Sequence, residues 1–203
     1  SAHGFLLKYT KKTEDEASAN PLLCAIVACT GDSRCITDDG DNGPCSFREV
    51  TRDHRPSDEH ELRRLKKYVS EGTAFVERDE YDALRLYPGG LAVSRTIGDL
   101  QLSHAAVPEP DVFSVALRLD NGCTYRFVIG SDGVWDTFDT DVVGSLAARV
   151  KILEDGTEKV TSAKEAARAI IDDCIKKGGY QDDVTVLVMD VKLVEGEIKE
   201  KVT

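Results

Sequence analysis

What this sequence lacks removes several chemistries at once. Its six cysteines (Cys24, Cys29, Cys35, Cys45, Cys123 and Cys174) show no C-x-x-C spacing, so zinc-ribbon and dithiol redox patterns have no support. Its four histidines (His3, His54, His60 and His104) form no H-E-x-x-H, and none pairs with an evident nucleophile. A zinc hydrolase and a Ser-His-Asp triad are therefore both unsupported. No apolar run reaches the roughly 18 residues of a membrane span, and no secretory leader or lipidation signal is recognisable. The expectation is a soluble protein with free thiols, intracellular in the cytoplasm and/or the nucleus, without a membrane partner. Positive charge is also short: 26 Lys and Arg against 37 Asp and Glu leave a net charge of -11. Approach to a phosphate backbone would begin with repulsion, so no nucleic-acid partner is expected.

What is present is enough for a sizeable core, 203 residues of which 41% are hydrophobic, most simply one domain or part of one. Residues 4–9 and 22–29 read as strands, the second apolar enough to be covered on both faces, and the pair suggests a hairpin. Residues 33–37 and 46–50 flank a turn-rich D-D-G-D-N-G stretch. That stretch partly mimics a calcium loop, but its third place is Gly40 and no helix pattern flanks it, so a hairpin turn is expected. Ser57 is a candidate cap for a helix running to about Ser70. Residues 71–88 read as an irregular flap containing a short hairpin. Residues 112–119 and 124–129 flank Asn121-Gly122, a hairpin signal that predicts antiparallel neighbours. Asp139 can cap a helix through about Val150, and Ser162-Ala-Lys-Glu165 is a capping box opening another. Residues 184–189 close with a buried strand, and the charged end from Glu195 reads as a solvated tail. Hairpins with non-alternating helices make the fold class α+β with antiparallel sheets.

Three turns carry acids at the mouths of apolar strands: G-D-S-R at 31–34, S-D-G at 131–133 and Q-D-D at 181–183. Buried lone carboxylates are costly, and hard divalent ions want oxygens from separate rigid pieces of backbone, so a bound cation would explain such acids. If Gly133 begins a helical turn, Asp132 and Asp136 stand one turn apart and can share it. Taken singly, each turn reads equally as acids that cap helices or brace loops. Arg95 and Asp99 would pair as an internal brace if helical.

In order, GDSR at 31–34, TRDHRP at 51–56, GGLAVSRTIGD at 89–99, PEPD at 108–111, GSDGVWD at 130–136 and QDDVTV at 181–186 resemble the metal-dependent serine/threonine protein phosphatases of type 2C. The resemblance implies a sandwich of two antiparallel sheets flanked by helices, here incomplete at its N-terminal side, with residues 1–193 in the catalytic domain and 194–203 as tail. It implies Mg²⁺ or Mn²⁺ as cofactor: two ions that activate a water for attack on phosphoserine or phosphothreonine, with a third, weakly held ion. By resemblance Asp132 and Asp182 are metal ligands, and Asp32 and Asp136 match third-ion positions; Asp183 replaces the family's Asn. No protein nucleophile is needed. The family's upstream Glu-Asp block, phosphate-gripping Arg and Asp-Gly-His-Gly block, which supplies the bridging aspartate, do not occur here. The expectation is a portion with little phosphatase activity alone, acting on phosphoproteins in its complete form, and prone to self-association or to binding a complementary N-terminal fragment. The alternatives are a pseudophosphatase or protein-binding module, and an autonomous module that uses the third-ion acids for structural metal binding.

Overall fold

A computed structural model describes residues 2–10, 22–40, 46–117, 123–153, 155–177, 182–194 and 197–202. In chain order the elements are β1 (Ala2–Thr10), β2 (Leu22–Thr30), β3 (Arg34–Thr37), β4 (Arg48–Glu49), α1 (Glu59–Ser70), β5 (Phe75–Arg78) and β6 (Leu84–Tyr87). A 3-10 turn at Asp99–Gln101 precedes β7 (Asp111–Leu117), β8 (Thr124–Gly130), α2 (Asp132–Trp135), α3 (Thr140–Ala147), β9 (Val150–Ile152), β10 (Glu158–Val160), α4 (Ala163–Lys176), β11 (Val186–Val194) and β12 (Glu197–Val202). The fold class is α+β, as expected. Contacts group the chain into two compact units. The first comprises Ser1–Gly4, Ala28–Ser33 and Thr51–Val112; the second comprises Phe5–Val27, Arg34–Val50 and Phe113–Thr203.

The second unit is layered. A five-stranded sheet runs β12-β11-β8-β3-β4, every pairing in it antiparallel, and a three-stranded sheet runs β1-β2-β7. Side chains alternate along a strand, so each central strand of the larger sheet feeds two cores. One face sends Cys35, Tyr125, Phe127, Met189 and Val191 against Ala25, Val27, Val115 and Leu117 of the smaller sheet. The other sends Ile36, Val128 and Val188 against the helices, where Trp135, Val143, Ala166, Ile170 and Cys174 meet them. Burying a side chain such as Phe127 completely contributes about 1.5–3 kcal/mol. On the helix face Arg126 and Asp190 are register partners, joined by two bonds of 2.7 and 2.8 Å, and Arg126 also donates to the carbonyls of Ala147 and Thr161. A fully buried guanidinium is tolerated because its donors are satisfied.

Local signals explain α4 closely. Ser162 Oγ accepts from the Glu165 N–H at 3.2 Å, and the Glu165 carboxylate accepts from the Ser162 N–H at 2.9 Å, which is the expected capping box. The helix expected to reach Val150 ends at Ala147, because Ala148 turns to extended backbone and Val150 enters the β9–β10 ribbon.

Two expectations about the strands are also corrected. β7 and β8 are not partners: β8 is flanked on both sides by β11 and β3, leaving it no free edge, while β7 pairs in the other sheet. The Asn121-Gly122 turn itself lies outside the described residues. The C-terminal residues are not a tail either, since Glu197–Val202 pairs with β11 from Val194↔Glu197 to Met189↔Val202.

The first unit is smaller. Asp58, not Ser57, caps α1, accepting from the N–H groups of His60 and Glu61 at 2.9 and 3.1 Å. The helix ends at Ser70, just before Gly72 with φ +70°. The flap contains the expected hairpin, β5 with β6, and its Phe75 and Tyr87 rings stack at 5.0 Å. Leu65, Ala74, Leu86, Ala105 and Ala106 form a modest apolar core. The five described cysteines outside the 41–45 segment are free thiols.

Candidate metal-binding acids and their supporting networks

β8 and β11 bring two of the acid-bearing turns together. Their register sets Val186 opposite Gly130, so the turn after β8 lies beside the turn before β11. Four contacts lace the two: the Ser131 N–H donates to the Thr185 carbonyl, the Ser131 hydroxyl donates to the Asp183 carbonyl, the Thr185 N–H donates to Ser131 Oγ, each at 3.0 Å, and Gly133 packs against Asp183. The packing dictates the glycine. A Cβ at position 133 would stand 2.7 Å from the Asp183 carbonyl oxygen, nearer than real contacts allow.

Asp132 opens the single turn of α2, and the Asp136 N–H bonds its carbonyl at 2.8 Å, so these acids stand one helical turn apart, as the spacing predicts. Asp132 is half-buried; Asp136 and Asp182 are exposed. The Asp132 carboxylate accepts from the Gly133 N–H at 3.1 Å and that of Asp182 from the Asp183 N–H at 2.8 Å. Trp135 anchors the turn from below: its Nε1 donates to the Gly130 carbonyl at 2.8 Å, and the Arg34 guanidinium lies 5.2 Å over its ring. Asp132, Asp136 and Asp182 therefore share one end of the five-stranded sheet. No group of three or more His, Cys, Asp or Glu close enough to hold a metal occurs among the described residues.

Asp32 belongs to the first unit. It is 4% exposed, and its Oδ2 lies 3.2 Å from Nη2 of Arg55. Around it the sequence blocks TRDHRP, GGLAVSRTIGD and PEPD fold into one polar network. Its hub is Glu61, 1% exposed, which accepts from the Ser94 hydroxyl at 2.7 Å, from Arg95 at 2.6 and 3.0 Å and from Arg64 Nε at 3.0 Å, with Arg64 Nη2 paired at 2.9 Å. Burial alone would raise the Glu61 pKa, but the bonds from Arg95, Ser94 and Arg64 outweigh it and bring it to about 2. Arg95 also donates to Asp111 at 2.8 Å and to the Glu109 carbonyl at 3.0 Å. The brace expected between Arg95 and Asp99 is thus replaced: Arg95 turns to Glu61 and Asp111, and Asp99 accepts from the Thr96 hydroxyl at 2.8 Å.

His54 sits fully buried in this network. Its Nδ1 accepts from the Gly31 N–H at 3.1 Å, which puts the proton on Nε2. Nε2 lies 3.2 Å from Asp111 Oδ2 without a well-formed hydrogen bond, so the neutral ring is a close polar neighbour of that carboxylate. Burial and the Arg95 guanidinium keep the His54 pKa below its ordinary value. At Asp111, the His54 and Arg95 contacts overcome the effect of burial and hold the carboxyl low. Burial pushes the neighbouring Cys29 thiol up to about 12, so it is an inert packing thiol. In the second unit Asp38 is enclosed and bonded to the Arg149 guanidinium and the Arg126 N–H, both at 2.9 Å, which excludes it as the first ligand of a calcium loop.

Residues 11–182 match the family model described as Protein phosphatase 2C. The chain belongs to the protein phosphatase 2C family. Among its relatives are Probable protein phosphatase 2C 15 of Arabidopsis thaliana, 35% identical over 77% of this chain and 33% of that protein, and Probable protein phosphatase 2C 69 of Oryza sativa subsp. japonica, 34% identical over 81% and 36%. The chain thus spans about a third of the length of these curated relatives. A phosphatase of Toxoplasma gondii superposes with a TM-score of 0.61 at 19% identity, covering 100% of this chain and 66% of that one. The serine-threonine phosphatase 2C of that organism gives 0.58 at 19% identity, over 84% and 54%. At such identities the structural likeness speaks for the fold alone.

Proposed function

We propose that residues 1–193 form the C-terminal portion of the catalytic domain of a metal-dependent protein serine/threonine phosphatase, which hydrolyses phosphoserine and phosphothreonine in phosphoproteins. The observation that carries this reading is the lacing of the Asp132 and Asp182 turns at one end of the β8–β11 pair. Carboxylates on two rigid strand ends are suitable donors for Mg²⁺ or Mn²⁺, in kind though not in number. Asp132 and Asp182 would hold the catalytic ion, with Asp136 and Asp32 as the acids for a third. When bound, such ions supply an acidified water for in-line displacement at a phosphate ester. The role of this chain is to hold oxygen donors in place: Gly133 permits the close approach of the two turns, and Trp135 fixes the turn that carries Asp132.

With these acids alone the ligand set is incomplete. The 203-residue chain should show little turnover of a phosphopeptide or of p-nitrophenyl phosphate with Mn²⁺, and family-like turnover would refute that. Asp132→Asn and Asp182→Asn should each weaken Mn²⁺ binding measured by calorimetry; unchanged binding in both would remove the metal reading. The lack of a three-donor group among the described residues also supports the second reading, a pseudophosphatase or protein-binding module. Free thiols among the described residues favour an intracellular site of action, cytoplasmic and/or nuclear. The outer edges of β4 and β12 have no strand partner among the described residues, which favours self-association or a complementary N-terminal fragment; monodisperse monomer in light scattering would count against this.

A further inference from the structure

Within the first unit, α1 buries Glu61 and Leu65 and leaves a second face open. Along that face runs a groove of about 480 Å³ whose apolar lining is Leu62, Leu65, Val69 and Val76 of β5. Leu62, Leu65 and Val69 recur at spacings of three and four, which places them on one side of the helix, and Val69 is 46% exposed there. The lining extends from Glu59 to Ser70, about 16 Å of helix at 1.5 Å per residue. Spread over that length, 480 Å³ makes a trough about 30 Å² in section. A second helix, about 10 Å across, does not enter such a trough, whereas the side chains of an extended segment do.

The rim is cationic, although the whole chain carries a net charge of -11. The middle of α1 reads R-R-L-K-K from Arg63 to Lys67. Arg63 pairs with Glu59, Arg64 holds Glu61 and the carbonyls of Ser94 and Ala105, and Lys67 lies 6.0 Å over the Tyr68 ring. Lys66, which lines the groove, is exposed and has no ion pair among the described residues. Its ammonium stands on the helix between Leu62 and Val69, whose backbones are about 10 Å apart along the axis. A polyproline II segment brings residues i and i+3 to one side at a similar spacing, about 9 Å. We propose that this groove docks an extended segment of a partner protein in which two apolar side chains, three residues apart, flank acidic residues. The apolar pair packs beside Leu62 and Val69, and a carboxylate meets Lys66. A second copy of this chain is a poor occupant, because a twofold pairing of two such grooves would set one cationic rim against the other. The docking requires no metal ion.

The test titrates the 203-residue protein into three fluorescein-labelled peptides, followed by anisotropy, with folding checked by circular dichroism. The probes are S-L-E-D-L-S, its charge-reversed form S-L-K-K-L-S and its anchorless form S-A-E-D-A-S. S-L-E-D-L-S should bind with a Kd below about 1 mM, and the other two should each bind at least about tenfold more weakly. Lys66→Glu should weaken S-L-E-D-L-S about tenfold, the scale of reversing one exposed charge, and should make S-L-K-K-L-S the better ligand. Val69→Ser should weaken S-L-E-D-L-S about fivefold and leave the charge preference as it was. Absence of S-L-E-D-L-S binding, equal binding of the three peptides, or binding that neither substitution changes overturns the proposal. If Val69→Ser does not fold, the exchange of preference in Lys66→Glu decides alone, and its failure overturns the proposal. Concentration-dependent dimerisation that is lost in Val69→Ser would give the groove to a second copy and overturn the proposal equally.

Discussion

In the second unit, the central strands offer alternate residues to two apolar layers; in the first, α1 and the loop at residues 94–95 converge on one carboxylate, Glu61. The second unit has buried ion pairs as well, but Arg126 and Asp190 are opposite each other on paired strands whose backbone bonds would align them anyway. In the first unit the partners come from separate segments, α1, residues 94–95 and residue 111, and the apolar cluster that accompanies them among the described residues has five buried members. Polar ties there do the assembling that area burial does in the sheets. The consequence is that one unit should answer to acid and salt and the other to lost volume.

The largest effect should come from Glu61→Ala. It strands two guanidinium groups near a closed interior, and breaking a buried pair from one side costs about 3–5 kcal/mol. Hydrogen exchange should show the loss confined to amides of residues 51–112; a loss spread evenly over the chain would break the distinction. Acid should act on the wild type in the same direction. Glu61 is held at about 2 against an ordinary 4.5, so its contribution is complete above 4.5 and is lost as pH falls toward 2. His54, kept neutral by burial with its pKa below 6.5, begins to oppose folding as pH drops under that value. Asp38 in the second unit has the opposite sign: burial raises its pKa, so ionisation is a cost that acid relieves. Amides of the first unit should therefore lose protection first between about pH 6 and 3. Simultaneous loss in both units would contradict this.

Phe127→Ala should cost nearly as much, about 3–5 kcal/mol in denaturant unfolding. Unlike Glu61→Ala, its cost should not change between low and high salt. Gly133→Ala comes next, about 1–3 kcal/mol, because the Asp132 and Asp182 turns must part to admit the methyl. It should weaken Mn²⁺ binding more than it lowers the melting temperature; the reverse would detach the turn packing from the acids. Ser162→Ala, which removes one arm of the capping box, should cost only about 1 kcal/mol.

How legible each feature was in the sequence tracks how local its cause is. The Ser162 capping box, the end of α1 and the short hairpin within residues 71–88 depend on neighbours a few residues away and could be read directly. Asn121-Gly122 misled because a turn signal carries no information about which edge of β8 is already taken. The β9–β10 ribbon is too short and charged for a period-two pattern, and Glu197–Val202, rich in charge, looks like a tail until β11 supplies its hydrogen bonds. Of the acids, Asp132, Asp136 and Asp182 were readable because each ends or begins an apolar strand or stands one turn from such an end. The partners of Arg95, 34 residues away at Glu61 and 16 away at Asp111, left no local trace.

Trp135 is the chain's single tryptophan, and it lies beneath the turn that carries Asp132, with Arg34 across its ring. Its emission is consequently an optical reporter of that turn which needs no added dye. Quenching by paramagnetic Mn²⁺, set against the silent Mg²⁺, would measure how near an ion comes to this end of the sheet.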